Sequence, residues 1–198
     1  MKFKSRLVWV LFFSLVFFIN SGFTVVGHRG DPIKYHEETI QADDSAFNSG
    51  ADYVELDLQL SKDGVPVIAH DDDLFRVTHT HAIVSQNNFT ALKQLQYDNG
   101  EHVMSLSELF KHYQNKPNTK FVLETKIDHG LNPSYELEDK IAQIVKKYHM
   151  QKRIMIHSFS AASLFHFRKI MPEAYLILIV GSLKRINFSN LPQVNAIN

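Results

Sequence analysis

The sequence contains no cysteine and only one tryptophan, Trp9, among its 198 residues. The absence of cysteine excludes disulfide bonds, thiolate nucleophiles and cysteine-ligated zinc or iron–sulfur centres. Excess charge of one sign is also absent, because 21 Lys and Arg residues balance 21 Asp and Glu residues. No run of basic residues of the kind that follows a nucleic-acid backbone is present, so the composition predicts no nucleic-acid partner.

The longest hydrophobic segment lies near the N-terminus, from Leu7 to Ile19, directly after three basic residues within the first six. Basic residues followed by a short apolar segment are typical of a secretory signal peptide. The segment is shorter than the roughly 20 residues that span a bilayer. We therefore predict that residues 1–22 are a cleaved signal peptide of a secreted or extracellular protein, with an uncleaved membrane anchor as the alternative.

Short apolar or β-branched stretches alternate with helical patterns in residues 23–198. This alternation predicts one α/β domain with a mainly parallel sheet. The predicted strands are Thr24–His28, Tyr53–Leu58, Val65–His70, Lys120–Thr125, Arg153–Phe159 and Tyr175–Val180.

Apolar residues at helical spacing predict three helices. The first begins at Ser105, where Glu108 completes a capping-box pattern, and the others begin at Ser134 and Ser160. The residues expected to face the core are Leu106, Leu109, Phe110 and Tyr113 in the first helix, Leu137, Ile141, Ile144, Val145 and Tyr148 in the second, and Leu164, Phe167 and Ile170 in the third.

Two links depart from the alternation of strands and helices. The second and third strands are too close for a crossover helix, so we interpret Lys62-Asp63-Gly64 as a tight turn between them. Residues 72–104 are polar and show little periodicity, and we interpret them as an insertion or lid within the same domain.

The predicted strands number six, and Val194–Ile197 resembles the start of a seventh. A closed eight-stranded (β/α) barrel takes about 250 residues. We therefore predict a TIM-type barrel that lacks its last strand or strands. Its exposed apolar sheet edges would favour aggregation.

Candidate functional residues lie at the ends of predicted strands, where (β/α) barrels have their active sites. Glu55 and Asp57 are two residues apart in one strand, so their side chains point to the same side. Together with Glu124 they offer three hard oxygen ligands, which suit Mg²⁺ or Ca²⁺ better than zinc. The alternative is that these carboxylates pair with Lys126 or Lys62.

Two histidines, His28 and His70, also lie at predicted strand ends. A histidine can take up or release a proton near neutral pH, so the two are candidates for the base and acid of one reaction. Arg29 and Gly30 follow His28 and offer a planar guanidinium group for a phosphate and a tight backbone turn.

Three aspartates, Asp71, Asp72 and Asp73, follow His70. Any of them could orient the imidazole ring or face solvent. For Asp72 and Asp73 we expect exposure to solvent.

Taken together, these residues resemble the glycerophosphodiester phosphodiesterase family. The resemblance rests on matches in order and spacing along nearly the whole chain after the N-terminal segment. The matching residues are His28-Arg29-Gly30, Glu37, Thr39, Gly50-Ala51-Asp52, Val54-Glu55-Leu56-Asp57, Asp63-Gly64, Pro66-Val67, His70-Asp71, Arg76, Thr78, Leu106, Glu108, Leu123-Glu124-Thr125-Lys126 and Ser158-Phe159.

The resemblance implies a TIM-type barrel of the phosphatidylinositol-phosphodiesterase-like kind. It implies hydrolysis of a glycerophosphodiester to sn-glycerol 3-phosphate and an alcohol, with Ca²⁺ or Mg²⁺ as cofactor. The roles that it implies are metal ligation by Glu55, Asp57 and Glu124, acid and base catalysis by His28 and His70, phosphate binding by Arg29 and Lys126, and support of the metal site by Glu37.

The chain also departs from the family pattern. His36-Glu37-Glu38-Thr39 stands where the family has Pro-Glu-Asn-Thr, so an extra carboxylate, that of Glu38, enters beside the expected metal site. The family's final strand carries a tryptophan, whereas Trp9 is in the N-terminal segment. Two other functions therefore stay open. One is a non-catalytic secreted or membrane-associated fragment, and the other is a phospholipase C or sphingomyelinase D type of phosphodiesterase.

Overall fold

The computed structural model of the protein describes residues 23–126, 134–182, 184 and 192–198. Residues 1–22, for which we predict a signal peptide or membrane anchor, lie outside the described residues. None of the helices in the described ranges is both long enough and apolar enough to cross a membrane.

In the part of the chain that the structure describes, the centre of the fold is a seven-stranded sheet. Six strands form a continuous parallel path in the order β1-β2-β4-β5-β6-β7, and β3 pairs with β2 beside this path. The strands are β1 (Val26–His28), β2 (Tyr53–Leu60), β3 (Pro66–Ile68), β4 (Phe121–Thr125), β5 (Ile154–Ser158), β6 (Tyr175–Leu178) and β7 (Ala196–Ile197). Within the described ranges, β1 and β7 each pair with one neighbour, so the sheet is an open part of a barrel.

The third strand runs antiparallel to its neighbour, with Leu58 opposite Ile68 and Leu60 opposite Pro66. The predicted tight turn precedes it, closed by a hydrogen bond from Gly64 N–H to the Ser61 carbonyl. Because β3 is antiparallel and pairs with β2 beside the parallel path, it is not a strand of the barrel. The residues after β3 place His70 near the carboxyl ends of the parallel strands.

The described residues contain six α-helices beside the sheet: α1 (Ile40–Asn48), α2 (Phe75–Thr78), α3 (Phe89–Leu92), α4 (Leu106–Tyr113), α5 (Glu136–Lys147) and α6 (Ala161–Ile170). The capping box predicted at Ser105 and Glu108 is present. Ser160 caps α6 through the N–H of Ser163, and Ser134 accepts a hydrogen bond from the N–H of Glu136 in α5.

Most residues predicted to face the core do so. All four in α4 are buried, as are Leu164 and Phe167 in α6. The prediction was wrong for Ile170, which is the last residue of α6 and is 37% exposed. The main core also contains Val54, Leu56 and Leu58 of β2, so this face of β2 packs against the helices.

Residues 72–104 pack around a small hydrophobic core of their own, together with Val67 and Ala69 of the β3 region. The buried residues that this segment contributes are Leu74, Val77, Val84, Leu92, Tyr97 and Val103. They come from α2, α3, a 3₁₀ turn at Val84–Gln86 and the connecting loops. The segment is therefore a packed part of the domain.

Candidate active site

The loop after β1 places His28 and Arg29 at the end of the sheet. The Arg29 backbone N–H donates both to the Glu55 carbonyl, at 3.1 Å, and to Glu55 Oε2, at 3.2 Å. Arg29 has a φ of +55° and Gly30 a φ of +85°. A Cβ at Gly30 would lie 2.7 Å from the backbone of Ala42 in α1, so only glycine allows this tight turn against the helix.

Three carboxylates meet beside this loop. Glu55 and Asp57 point to the same side of β2, and Glu124 is paired with Asp57 in the register of β4. One oxygen from each of the three groups lies within 4.8 Å of the others, and all three residues are buried. The structure therefore brings together the three residues that we predicted as metal ligands.

Two cationic side chains approach this triad. Lys126 Nζ lies 3.0 Å from Asp57 Oδ1 and 2.7 Å from Glu124 Oε1. Arg29 Nε lies 2.9 Å from Asp57 Oδ2 without the alignment of a hydrogen bond, so this contact is an ion pair. The alternative pairing with Lys126 is thus present in the structure, while Lys62 lies in the exposed turn before β3.

These two cations do not offset all of the negative charge. Burial, followed by the charges of Asp57 and Glu124, raises the pKa of Glu55 to about 8. Glu55 Oε1 and both carboxylate oxygens of Asp57 have no hydrogen-bond partner in the described part of the chain. The two Asp57 oxygens have ion pairs only, with Lys126 and Arg29. Buried carboxylates that repel one another in this way are the donor set that a hard divalent cation fits.

Of the two predicted catalytic histidines, His28 lies beside the triad. The His28 side chain is 70% exposed, and its Nε2 atom is 3.8 Å from Glu55 Oε2. Burial, followed by the charge of Arg29, lowers the pKa of His28.

His70 is held by contacts from two sides. Gln59, four residues after Glu55 on the same face of β2, donates from Nε2 to the carbonyls of Ala69, His70 and Asp71 at 2.8–3.2 Å. Asp71 Oδ1 lies 2.7 Å from His70 Nδ1. Asp71 is therefore the aspartate that orients the ring.

Of the two aspartates predicted to face solvent, Asp72 is exposed. The Asp73 side chain is 39% exposed, and its carboxylate also contacts His81 Nδ1 at 2.8 Å and accepts a hydrogen bond from the Ala82 N–H at 2.9 Å. It organises the loop after α2, which the sequence pattern does not reveal because both partners are eight or nine residues away.

The structure adds two residues to the site. Glu38, the extra carboxylate of the family motif, is buried and accepts a hydrogen bond from the Asp57 N–H at 2.9 Å. Its burial and the charge of Asp57 raise its pKa well above the ordinary value. His157 on β5 is paired with Glu124 in the sheet register, and its Nδ1 is 3.7 Å from Glu124 Oε2.

Burial lowers the pKa of His157 to about 4. Its Nε2 atom lies 3.3 Å from the Asn198 side-chain nitrogen. A polar residue near the carboxyl end of a predicted strand was the signal that identified His28 and Glu124, and the same signal applies to His157. We did not predict it, because the sequence alone does not show which of 11 histidines meet at the site.

Comparison with known proteins identifies the family of the chain. The sequence pattern of the glycerophosphoryl diester phosphodiesterase family matches residues 28–188. A glycerophosphodiester phosphodiesterase of Caldanaerobacter subterraneus subsp. tengcongensis is 32% identical over 162 residues, which are 78% of this chain and 65% of that protein. The chain thus spans less than two thirds of the length of this relative.

Solved structures show the same fold. A glycerophosphodiester phosphodiesterase from Parabacteroides distasonis superposes with a TM-score of 0.76 at 23% identity, over 88% of this chain and 71% of the other. A phosphodiesterase of Oleispira antarctica, solved with the product sn-glycerol-3-phosphate, superposes with a TM-score of 0.74 at 26% identity, over 85% and 70%. The expectation of a TIM-type barrel fold is confirmed, and the chain belongs to the glycerophosphoryl diester phosphodiesterase family.

Proposed function

We propose that this protein hydrolyses glycerophosphodiesters to sn-glycerol 3-phosphate and an alcohol, with a divalent cation held by Glu55, Asp57 and Glu124. The observation that carries the proposal is the buried triad of mutually repelling carboxylates, in which Glu55 Oε1 has no hydrogen-bond partner among the described residues, with Arg29 and Lys126 beside it. Family membership and the product complex of the Oleispira antarctica relative support it.

The site residues have separate roles in this proposal. Arg29 and Lys126 bind the phosphate, and Glu37 holds Arg29 at 3.5 Å from outside the triad. The cation, Ca²⁺ or Mg²⁺, would neutralise charge that develops on the phosphoryl oxygens. Its ligands are all carboxylate oxygens, which both ions accept, so each ion should be assayed separately.

His28 and His70 carry the proton transfers. One of them removes the proton from the neighbouring glycerol hydroxyl as its oxygen attacks phosphorus. The other donates a proton to the departing alkoxide, which leaves as the alcohol. The first step thus leaves a cyclic glycerol phosphate. A water molecule then attacks its phosphorus and opens the ring, with the acid and base roles of the two histidines exchanged. The overall reaction consumes one water and leaves both histidines in their starting states.

The test is the release of glycerol 3-phosphate from glycerophosphocholine by the purified chain, with Ca²⁺ or Mg²⁺ and with chelator. We expect activity with at least one ion and its loss with chelator. His28→Ala and His70→Ala should each lower kcat by about 100-fold or more, the usual contribution of general acid–base catalysis. The matched control is His102→Ala, because His102 is exposed and distant in sequence from the site.

Two results would contradict this proposal. One is activity that chelator leaves unchanged, and the other is full activity in His28→Ala. Tight binding of Ca²⁺ without any hydrolysis would favour the non-catalytic metal-binding alternative.

We also propose that the protein is exported. The support is the sequence of residues 1–22, with three basic residues followed by the apolar segment from Leu7 to Ile19. Fractionation of expressing cells and N-terminal sequencing of the product test this proposal. A mature protein that begins near Phe23 supports secretion, an intact Met1 in the membrane fraction supports an anchor, and an intact Met1 in the cytosol contradicts export.

A further inference from the structure

A second group of charged residues lies just outside the carboxylate triad. Its centre is Arg76 on α2, within the insertion. The Arg76 guanidinium contacts two carboxylates from different segments: Nε binds Asp71 Oδ2, and Nη2 binds Glu37 Oε1 at 2.6 Å. The Arg76 side chain is 51% exposed, whereas those of Asp71 and Glu37 are 28% and 16% exposed.

The Asp71 carboxylate uses its two oxygens on two different partners. Oδ2 binds Arg76, and Oδ1 binds His70 Nδ1 at 2.7 Å. Since Nδ1 is occupied in this way, Nε2 is the nitrogen of His70 that is left for substrate. A carboxylate that rotated about its own bond would release the ring, and Arg76 prevents this rotation by holding the second oxygen.

The other carboxylate bound by Arg76, that of Glu37, also contacts Arg29 in the loop after β1. Glu37 Oε1 lies 3.5 Å from Arg29 Nη1, and Arg29 in turn contacts Asp57. Arg76 therefore joins the loop after β1 to the insertion. A second contact joins the same two segments, because the rings of His36 and Tyr97 stack with centroids 4.2 Å apart and an interplanar angle of 14°.

The charges of this group are mutually stabilising. Burial opposes ionisation of Asp71, but its hydrogen bonds to His70 and Arg76 lower its pKa below the ordinary value. Burial likewise opposes ionisation of Glu37, and Arg76 and Arg29 lower its pKa. Both carboxylates thus stay charged and keep their partners over the neutral pH range.

We propose that Arg76 is a positioning residue for catalysis: by bridging Asp71 and Glu37, it fixes the His70 ring with Nδ1 bound to Asp71 and Nε2 free for the substrate. This inference rests on the proposed function, since it assigns His70 to proton transfer. It predicts that the orientation and tautomer of His70, rather than metal binding, depend on Arg76.

The first test measures His70 directly by ¹⁵N NMR of the ring nitrogens in the full chain. We expect one tautomer in the wild type, with the proton on Nδ1, and a mixture of tautomers in Arg76→Ala. Affinity for Ca²⁺, measured by calorimetry, should be the same in both proteins. Since neither measurement requires turnover, this test stands even if the proposed hydrolysis is not observed.

The second test uses activity and chemical rescue. Arg76→Ala should lower kcat by about 10- to 100-fold, the usual effect of removing a residue that orients a functional histidine, with little change in KM. Because Arg76 is half exposed, free guanidinium ion at millimolar concentration can enter the vacated position and should restore part of the activity. Sodium chloride at equal ionic strength should not restore activity.

The matched control is Asp73→Asn, which removes a neighbouring carboxylate of the same insertion that contacts His81 rather than His70. It should leave the His70 tautomer and kcat unchanged. Arg76→Lys keeps the charge but cannot bridge both carboxylates, so it should give an intermediate result, and it replaces Arg76→Ala if that variant does not fold. An unchanged His70 tautomer in the folded Arg76 variant, or equal effects of Asp73→Asn, would overturn the proposal.

Discussion

Asp43 on α1 is a buried carboxyl group that the proposed mechanism does not use. It is 0% exposed, and neither of its oxygens has a hydrogen-bond partner among the described residues. Burial raises its pKa well above the ordinary value of 3.8, and Asp44 and Glu101 raise it further. The folded protein therefore holds this proton more tightly than the unfolded chain does.

The sign of the pH effect follows from this difference. Below pH 3.8 the carboxyl is protonated in both states. As the pH rises above that value, the unfolded chain ionises first, so the free energy of unfolding falls until the folded carboxyl also ionises. We expect Asp43→Asn, which cannot ionise, to raise the stability at pH 7.5 by at least about 1 kcal/mol, since each pH unit between the folded and unfolded pKa corresponds to about 1.4 kcal/mol. The gain should shrink toward pH 4, as measured by urea unfolding.

Asp44 supplies the matched control, because its carboxylate is partly exposed and accepts a hydrogen bond from Tyr113 Oη at 2.9 Å. Asp44→Asn removes only a secondary cause of the raised Asp43 pKa and weakens the ion pair with Lys116, so its gain at pH 7.5 should be clearly smaller. If the free energy of unfolding depends on pH in the same way in wild type and Asp43→Asn, the Asp43 carboxyl has hydrogen-bond partners in solution and this prediction is wrong.

Single residues of the site could be predicted when a local sequence pattern identified them. Glu55 and Asp57 follow from alternation in one strand, and His28 and Glu124 from their place near strand ends. Glu38 was recognised as an extra carboxylate, but its hydrogen bond to the Asp57 N–H spans 19 residues. That contact depends on how the loop after β1 folds back, which no local pattern specifies.

At the scale of elements, prediction succeeded where the determining interactions are local. The capping box of α4 joins residues three apart, and the strands of the parallel path appear within a few residues of their predicted bounds. The packing of residues 72–104 was not predicted. Its core residues come from several short elements, so they follow neither the period of a helix nor that of a strand.

Leu92 tests whether this insertion is a packed element. Its side chain is fully buried in the insertion's core, whereas Leu95 is only partly buried beside it. Leu92→Ala should lower the free energy of unfolding by about 2–5 kcal/mol, the range for truncating a buried leucine. Leu95→Ala should cost clearly less. Urea unfolding gives both values, and limited proteolysis should cut residues 72–104 faster in Leu92→Ala.

The comparison of the two leucine variants separates two descriptions of the insertion. A mobile lid would tolerate both substitutions equally, with wild-type rates of proteolysis. A packed insertion also gives the Asp71–Arg76 pair a fixed base, because Leu74 and Val77 of the same segment belong to its core. Its rigidity therefore bears on the positioning of His70.

At the scale of the whole molecule, the βα order of the sheet could be predicted because each strand is marked by its own composition. The register could not, since it depends on contacts between distant segments. Register nevertheless decides the site: it sets His28 beside Glu55, and Glu124 between Asp57 and His157. Candidate residues could thus be named from the sequence, while their grouping required the structure.

The open sheet predicts the association behaviour of this chain. In the described ranges β1 and β7 have one free edge each, and Val26 on β1 is 45% exposed. Unpaired edges with exposed apolar side chains pair with other chains, and an edge lysine opposes such pairing. We expect the purified 198-residue chain to self-associate with rising concentration, measured by size-exclusion chromatography with light scattering, and Val26→Lys to reduce that association.

The matched control is Ile170→Lys, which adds the same charge on α6, away from both edges. An equal effect of the two lysines would assign the association to net charge instead of the sheet edge.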